Sequence, residues 1–176
     1  MGLGASIHGT IQLNSSLEAG EQSRFQNPRV VQSLLRNSKV IAIVGLSTEK
    51  TKASNMVASY LLDEGYQVVP IHPKAESILG QPSYKSLRDV PFPIDIVDAF
   101  RPSEEVSTIA EDAIAIGARA LWTQLKIVNI EAGDRALAAG LEVVQDRCIK
   151  IEHGRYAGAL HFFGMNTEVV SAKRLR

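Results

Sequence analysis

The residues best suited to chemistry stand together behind one apolar run: Gly45, Leu46, Ser47, Thr48, Lys50 and Ser54. The run itself, Lys39-Val-Ile-Ala-Ile-Val44, is short, nearly unbroken and rich in β-branched residues, which suits a strand buried on both faces. After it comes a helix-like stretch with Met56, Val57, Tyr60 and Leu61 on one side. A strand that turns through glycine and small hydroxyl residues into a helix leaves backbone N–H groups pointing outward. With the helix dipole behind them, those groups make a seat for a phosphate. Ser47 and Thr48 also suit helix N-caps, and capping uses the same geometry as phosphate binding. Lys50 and Lys52 suit solvated positions equally well.

Further candidates stand at the ends of three later strands. The second, Tyr66 to Ile71, runs into His72-Pro73-Lys74; the third, Ile94 to Phe100, into Arg101-Pro102; the fourth, Ala118 to Thr123, carries Trp122 and Thr123 and runs into Gln124. The dinucleotide fingerprint asks for three glycines, G-x-G-x-x-G, and an acidic residue roughly 20 positions on to hold a ribose diol. Here the first glycine is Gly45 and the other two positions are Ser47 and Lys50. The second strand ends without a carboxylate; Lys74, with His72 beside it, favours a phosphate on the ribose. The residues thus describe a nucleotide with a pyrophosphate and an extra ribose phosphate. Coenzyme A, with its 3′-phosphate, and NADP, with its 2′-phosphate, both fit. Each candidate has a plainer use as well: His72 shaping the turn before Pro73, Trp122 packing, Arg101 pairing with an acid such as Asp98.

Helices and strands must position these residues. Residues 1–24 are rich in Gly, Ser, Gln and Asn without a sustained period, as expected of a flexible extension, leaving 25–176 as one domain. Asn27-Pro28 marks a helix start, with Val30, Val31, Leu34 and Leu35 on its apolar face and an end near Asn37. The helix after Gly45 stops at Gly65. A loop covers His72 to Pro82, and a short helical turn Ser86 to Asp89. Ser103 is expected to cap a helix carrying Val106, Ile109, Ala110, Ala113 and Ile114 and closed by Gly117. Ile130 to Ala139 reads as a helix closed by Gly140, and Leu141 to Gln145 as a fifth strand. Strands alternating with helices imply a doubly wound parallel sheet of about five strands in an α/β/α sandwich. Ligands of such folds bind beyond the carboxyl ends of the strands, at the topological switch point. The segments there are Gly45–Ser54, His72–Ala75, Phe100–Pro102 and Trp122–Val128.

Composition narrows the classes. Of 176 residues, 45% are apolar and 22% charged, with a formal net charge of zero, so no global basic field exists to hold nucleic acid or an anionic membrane. The single cysteine, Cys148, leaves no internal disulfide framework and points to a reducing, cytoplasmic compartment. No apolar run approaches the ~20 residues of a membrane span, and the start lacks the regions of a secretory signal. Met1-Gly-Leu-Gly-Ala-Ser6 matches the loose myristoylation pattern M-G-x-x-x-S. Cys148, His153, Asp146 and Glu152 lie close in sequence, but no metal-ligand spacing such as H-x-x-x-H or C-x-x-C occurs. Cys148 after an apolar strand and His161 before Phe162-Phe163 read as packing residues, so no catalytic or metal residue is assigned.

The blocks IAIVGLS, GYQVVPIHPK, IDIVDAFR, AIGARALWTQLKIVN and AGLEVVQDRCIKIEH, in this order, resemble the small single-domain CoA-binding proteins. Those are similar to a free-standing nucleotide-binding domain of the succinyl-CoA synthetase α subunit. The resemblance spans Arg29 to His153. It implies a Rossmann-like CoA-binding fold in which the loop Gly45–Lys50 holds the phosphates and Lys74 faces the charged end of the ligand. It further implies that Arg101 and Pro102, with Trp122-Thr123-Gln124, border the adenosine and pantetheine path. Two positions depart from the family pattern: Lys126 replaces a glycine, and the loop after Ser47 lacks a proline and places Glu49 near phosphate. The synthetase uses a phosphohistidine from another domain and a nucleotide-grasping subunit, and nothing in these residues matches either. The expectation is therefore a CoA or acyl-CoA binder without catalysis of its own. An NADP-linked oxidoreductase domain, with Tyr84, Tyr156 and the histidines as its proton donors, is one alternative. The other is a regulatory or interaction protein that has kept the fold and lost the ligand. The tail after His153 mixes apolar and basic residues and suits packing on the sheet edge or on a partner, including a second copy in a homodimer.

Overall fold

The computed structural model describes residues 15–156. In chain order the elements are α1 (Ala19–Phe25), α2 (Pro28–Asn37), β1 (Val40–Val44), α3 (Ala53–Asp63), β2 (Gln67–Ile71), β3 (Ser77–Ile78) and β4 (Gln81–Pro82). A 3₁₀ turn at Leu87–Asp89 leads to β5 (Ile96–Ala99), and another at Ser103–Glu105 leads to α4 (Val106–Ala115). The chain continues through β6 (Ala120–Thr123), α5 (Ile130–Ala138), β7 (Glu142–Val144) and α6 (Ile149–Tyr156).

The main sheet is five-stranded and parallel, in the order β2-β1-β5-β6-β7. Strand alternation sends Ile41 and Ile43 into one apolar layer with α2, α3 and α6. Ala42, Val97, Ala99, Leu121 and Val143 face the other layer, under Phe25, α4 and α5. The result is the Rossmann-like α/β/α sandwich. Val44 pairs with Ile71 on one side and Ala99 on the other, so three carboxyl ends come level. The chain leaves β1 toward β2 and returns on its other side as β5, which makes the β1–β5 crevice the switch point.

Local signals hold where they are strong. Asn27 caps α2, its side chain accepting the Arg29 N–H at 3.0 Å, with Pro28 in the first turn. Four differences have physical causes. First, part of the expected flexible extension is ordered: α1 forms there because Leu17 and Phe25 are buried, and the Phe25 carbonyl accepts the Gln145 N–H at 3.0 Å. So short a helix draws its stability from tertiary contact, not from propensity. Second, the expected loop after His72 contains the β3–β4 hairpin, whose turn residues Leu79 and Gly80 both have positive φ. Third, α6 hides its period: the buried set Ile149, Glu152, His153 and Tyr156 has helical spacing, but two members are polar. Fourth, Ser103 does not cap α4; it starts the 3₁₀ turn, and its hydroxyl accepts the Val128 N–H at 3.1 Å. The acylation pattern at residues 1–6 lies outside the described residues, as do His161 and the tail from 157 on.

Candidate functional site

A cleft of about 430 Å³ opens at the switch point. The end of β1 supplies Val44, Gly45, Leu46 and Ser47; the end of β2 supplies Ile71, His72 and Pro73. Lys85, Arg101 and Glu105 complete the lining.

Gly45 is where these strand ends meet. Its φ of +87° is one that side chains rarely adopt, and a Cβ there would lie 2.7 Å from the Arg101 Cδ and 2.9 Å from the Phe100 carbonyl oxygen. Its N–H donates to the Ile71 carbonyl at 3.3 Å. Leu46 turns into the core, fully buried. Ser47 is tied down on three sides. Its N–H donates to the Ser54 hydroxyl at 3.0 Å, its hydroxyl accepts the Glu49 N–H at 3.1 Å, and its carbonyl accepts from the Asn55 amide at 2.9 Å. Ser54 thus braces the loop from inside the first turn of α3, while Thr48, Glu49 and Lys50 are exposed on its outer bend. Glu49 is not among the residues lining the cleft.

His72 shapes its turn and faces the cleft at once. Its Nδ1 accepts the backbone N–H groups of Lys74 at 3.2 Å and Ala75 at 2.9 Å, which places the proton of the neutral ring on Nε2. Lys74, on the same turn, is exposed and does not line the cleft. Arg101 does pair with an acid, and the acid is Glu105, not Asp98: two hydrogen bonds of 2.9 and 2.8 Å join guanidinium and carboxylate one helical turn apart. Those bonds raise the Arg101 pKa above its ordinary value. Pro102 is exposed at the start of the 3₁₀ turn and lies outside the lining.

The β6 residues lie elsewhere. Trp122 is fully buried in the layer of α2, α3 and α6, and its Nε1–H donates to the Arg147 carbonyl at 2.7 Å. Thr123 donates its hydroxyl to the Ile127 carbonyl at 2.5 Å. Gln124 donates its amide to both oxygens of Asp98, at 2.8 and 3.1 Å. Burial pushes the Asp98 carboxyl up to about 7, with the Gln124 hydrogen bonds pulling the other way. Lys126 has φ +62° and donates its N–H to Asp146 Oδ1 at 2.6 Å.

The remaining reactive side chains sit in the α2/α3/α6 layer. Burial raises the Cys148 thiol pKa. His153 is buried with Nδ1 2.9 Å from the Tyr60 hydroxyl, its ring edge-on to Tyr60 and Tyr66, and burial lowers its pKa. Among the described residues, no three His, Cys, Asp or Glu side chains are grouped to hold a metal ion, and no helix is long and apolar enough to cross a membrane.

Lys85 and Glu105 are the charged lining residues that sequence reading misses. Lys85 comes to the cleft because its neighbour Tyr84 bridges to Ile71 in parallel, alongside the end of β2. Glu105 comes because the chain turns helical just after β5.

The geometry has counterparts in known proteins. Residues 39–154 match the family described as CoA binding domain. A Bacillus subtilis (strain 168) protein, YneT, is 38% identical over 131 residues, 73% of this chain and 97% of its own. A hypothetical protein from Pyrococcus horikoshii superposes with a TM-score of 0.72 at 38% identity, covering 74% of this chain and 92% of that one. A dinucleotide-forming acetyl-coenzyme A synthetase from Ca. Korarchaeum cryptofilum matches at TM-score 0.56 and 26% identity, over 63% of this chain but only 26% of the enzyme. With well over half its length matched to one family and the Bacillus relative matched nearly end to end, the chain belongs to the CoA binding domain family.

Proposed function

We propose that the chain binds coenzyme A or an acyl-CoA in the switch-point cleft and performs no chemistry on it alone. The observation that carries this reading is the coincidence of three features in one crevice. Gly45 leaves the β1 end without a side chain, Arg101 stands directly against it, and the family's ligand is a pyrophosphate-bearing nucleotide. Backbone at Gly45, Leu46 and Ser47 lines the crevice beside the Arg101 side chain, with Thr48 and Lys50 on the exposed bend next to it, so a pyrophosphate would meet the guanidinium and the glycine turn together. Arg101 is already oriented by Glu105 and would exchange part of that pairing for a phosphate. Trp122, Thr123 and Gln124 act in this reading as a rigid base beneath the loops. The one cysteine fits a reducing cytoplasmic setting.

Isothermal titration of the full chain with CoA, acetyl-CoA and NADP⁺ tests the reading. Micromolar binding of CoA, near −8 kcal/mol, with NADP⁺ silent is the expected result. NADP⁺ binding in place of CoA overturns it in favour of an oxidoreductase domain. No heat from either, with the circular dichroism of a folded α/β protein, overturns it in favour of an interaction protein.

A further inference from the structure

We infer that Lys85, and not Lys74, is the cation that reads the ribose phosphate, so that it separates coenzyme A from dephospho-coenzyme A. The inference rests on the CoA reading above and deepens it.

Position is the first reason. In Rossmann-like folds the end of the second strand is where the adenosine ribose is recognised, by a carboxylate when both hydroxyls are free. No carboxylate stands there in this chain; the cleft wall at that end is Ile71, His72 and Pro73, with Lys85 beside them. Lys85 is not on a loose loop. The Tyr84 N–H donates to the Pro70 carbonyl at 3.0 Å, and the Tyr84 carbonyl accepts the His72 N–H at 2.9 Å. The residue before Lys85 is thereby pinned on both sides to the end of β2.

Charge is the second reason. Arg101 is engaged by Glu105 through two hydrogen bonds, so those two charges offset each other. Lys85 makes no ion pair among the described residues. Lys85 therefore brings the cleft an unpaired lysine charge at its ribose end. A flexible ammonium suits a phosphate monoester as a point-charge partner. Lys74 is equally basic and, like Lys85, exposed, but it does not line the cleft.

The test is calorimetric titration of the full chain with CoA and with dephospho-CoA, on wild type, Lys85→Ala, Lys85→Arg and Lys74→Ala. Wild type should prefer CoA by roughly tenfold or more, the value of one charged hydrogen bond. Lys85→Ala should lose that preference by weakening CoA to the dephospho-CoA level while leaving dephospho-CoA affinity in place. Lys85→Arg should retain part of it. Equal wild-type affinity for the two ligands overturns the Lys85 assignment and leaves CoA binding intact. A preference that survives Lys85→Ala, or that disappears in Lys74→Ala, also overturns it. If wild type binds neither ligand, the CoA reading falls and this assignment falls with it.

Discussion

The carboxyl ends of the five strands form one rim, and its two halves are finished differently. Over β2, β1 and β5 the loops part into a cleft with Gly45, Lys85 and Arg101 at its walls. Over β6 and β7 the loops are filled. The Asp146 carboxylate accepts the Lys126 N–H at 2.6 Å, the Ser16 N–H at 2.5 Å and the Ser15 hydroxyl at 3.1 Å. The Gln26 amide donates to the Gln145 carbonyl at 3.0 Å, and Arg147 reaches back to the Gln26 oxygen at 2.8 Å. Phe25 fits against Gly133, where a Cβ would lie 2.8 Å from its ring. Equivalent strand ends can thus serve the ligand or the fold. The deciding factor is whether the chain supplies internal partners for the polar groups there. On the filled side, apart from the Lys126 N–H, these partners come from residues 15–26, which precede the stretch matched to the family.

The largest test of this division is Phe25→Ala. Phe25 is fully buried, so its removal should cost about 3–5 kcal/mol of unfolding free energy in urea denaturation. Affinity for CoA should not change under conditions where the variant is folded. A parallel loss of affinity would show that the two halves are coupled.

Asp98 lies on β5, between the halves, and its prediction is a pH profile. The folded carboxyl titrates at about 7 against an ordinary 3.8, so between those values the folded chain holds a proton that the unfolded chain has lost. Stability attributable to Asp98 therefore falls as pH rises from about 4 to about 7 and levels off above. Asp98→Asn keeps an acceptor for Gln124 without the charge. It should gain roughly 2–3 kcal/mol over wild type at pH 8 and little at pH 4. His153 runs the other way: its lowered pKa means stability lost as pH falls through and below about 6.5. Both proteins share that contribution, so the difference between their urea midpoints across pH isolates Asp98. Parallel profiles would contradict the assignment.

The smallest effect sharpens the filled side. Lys126 holds φ +62°, a conformation costly for a side-chain-bearing residue and free for glycine. Lys126→Gly should stabilise by about 1 kcal/mol or less, the strain relieved exceeding the added chain entropy, and raise Tm by roughly 2–4 °C. A lower Tm would mean that the lysine side chain contributes more than its backbone costs.

Much of the architecture is legible in the sequence because its signals are local. Apolar runs mark β1, β2, β5 and β6, Asn27-Pro28 marks the start of α2, and glycines stand close enough behind the helices to place their ends. Strands β5 and β6 are shorter than the stretches Ile94 to Phe100 and Ala118 to Thr123 expected for them, although ladder-like hydrogen bonds from the Asp95 and Phe100 N–H groups to Val40 and Val44 continue past the ends of β5. The candidate site is only partly legible. Gly45 and His72 sit at junctions where a strand gives way to a turn, and such junctions can be read from neighbours in sequence. Lys85 cannot be found this way, because the Ile71–Tyr84 bridge that delivers it is a tertiary fact. Trp122 to Gln124 illustrate the converse. They occupy a strand end like the others, but the filling of that half of the rim by residues 15–26 depends on contacts across more than a hundred residues of chain. The burial of α6 on Glu152 and His153 is hidden for a simpler reason, since polar residues stand where an apolar period is sought.

The most direct measurement is amide hydrogen exchange across the rim with and without saturating CoA. Binding in the open half predicts slowed exchange at residues 45–52, 72–75, 84–85 and 100–105, and unchanged exchange at 123–128 and 145–148. Protection confined to the second set, or no change at either, would contradict binding in the open half.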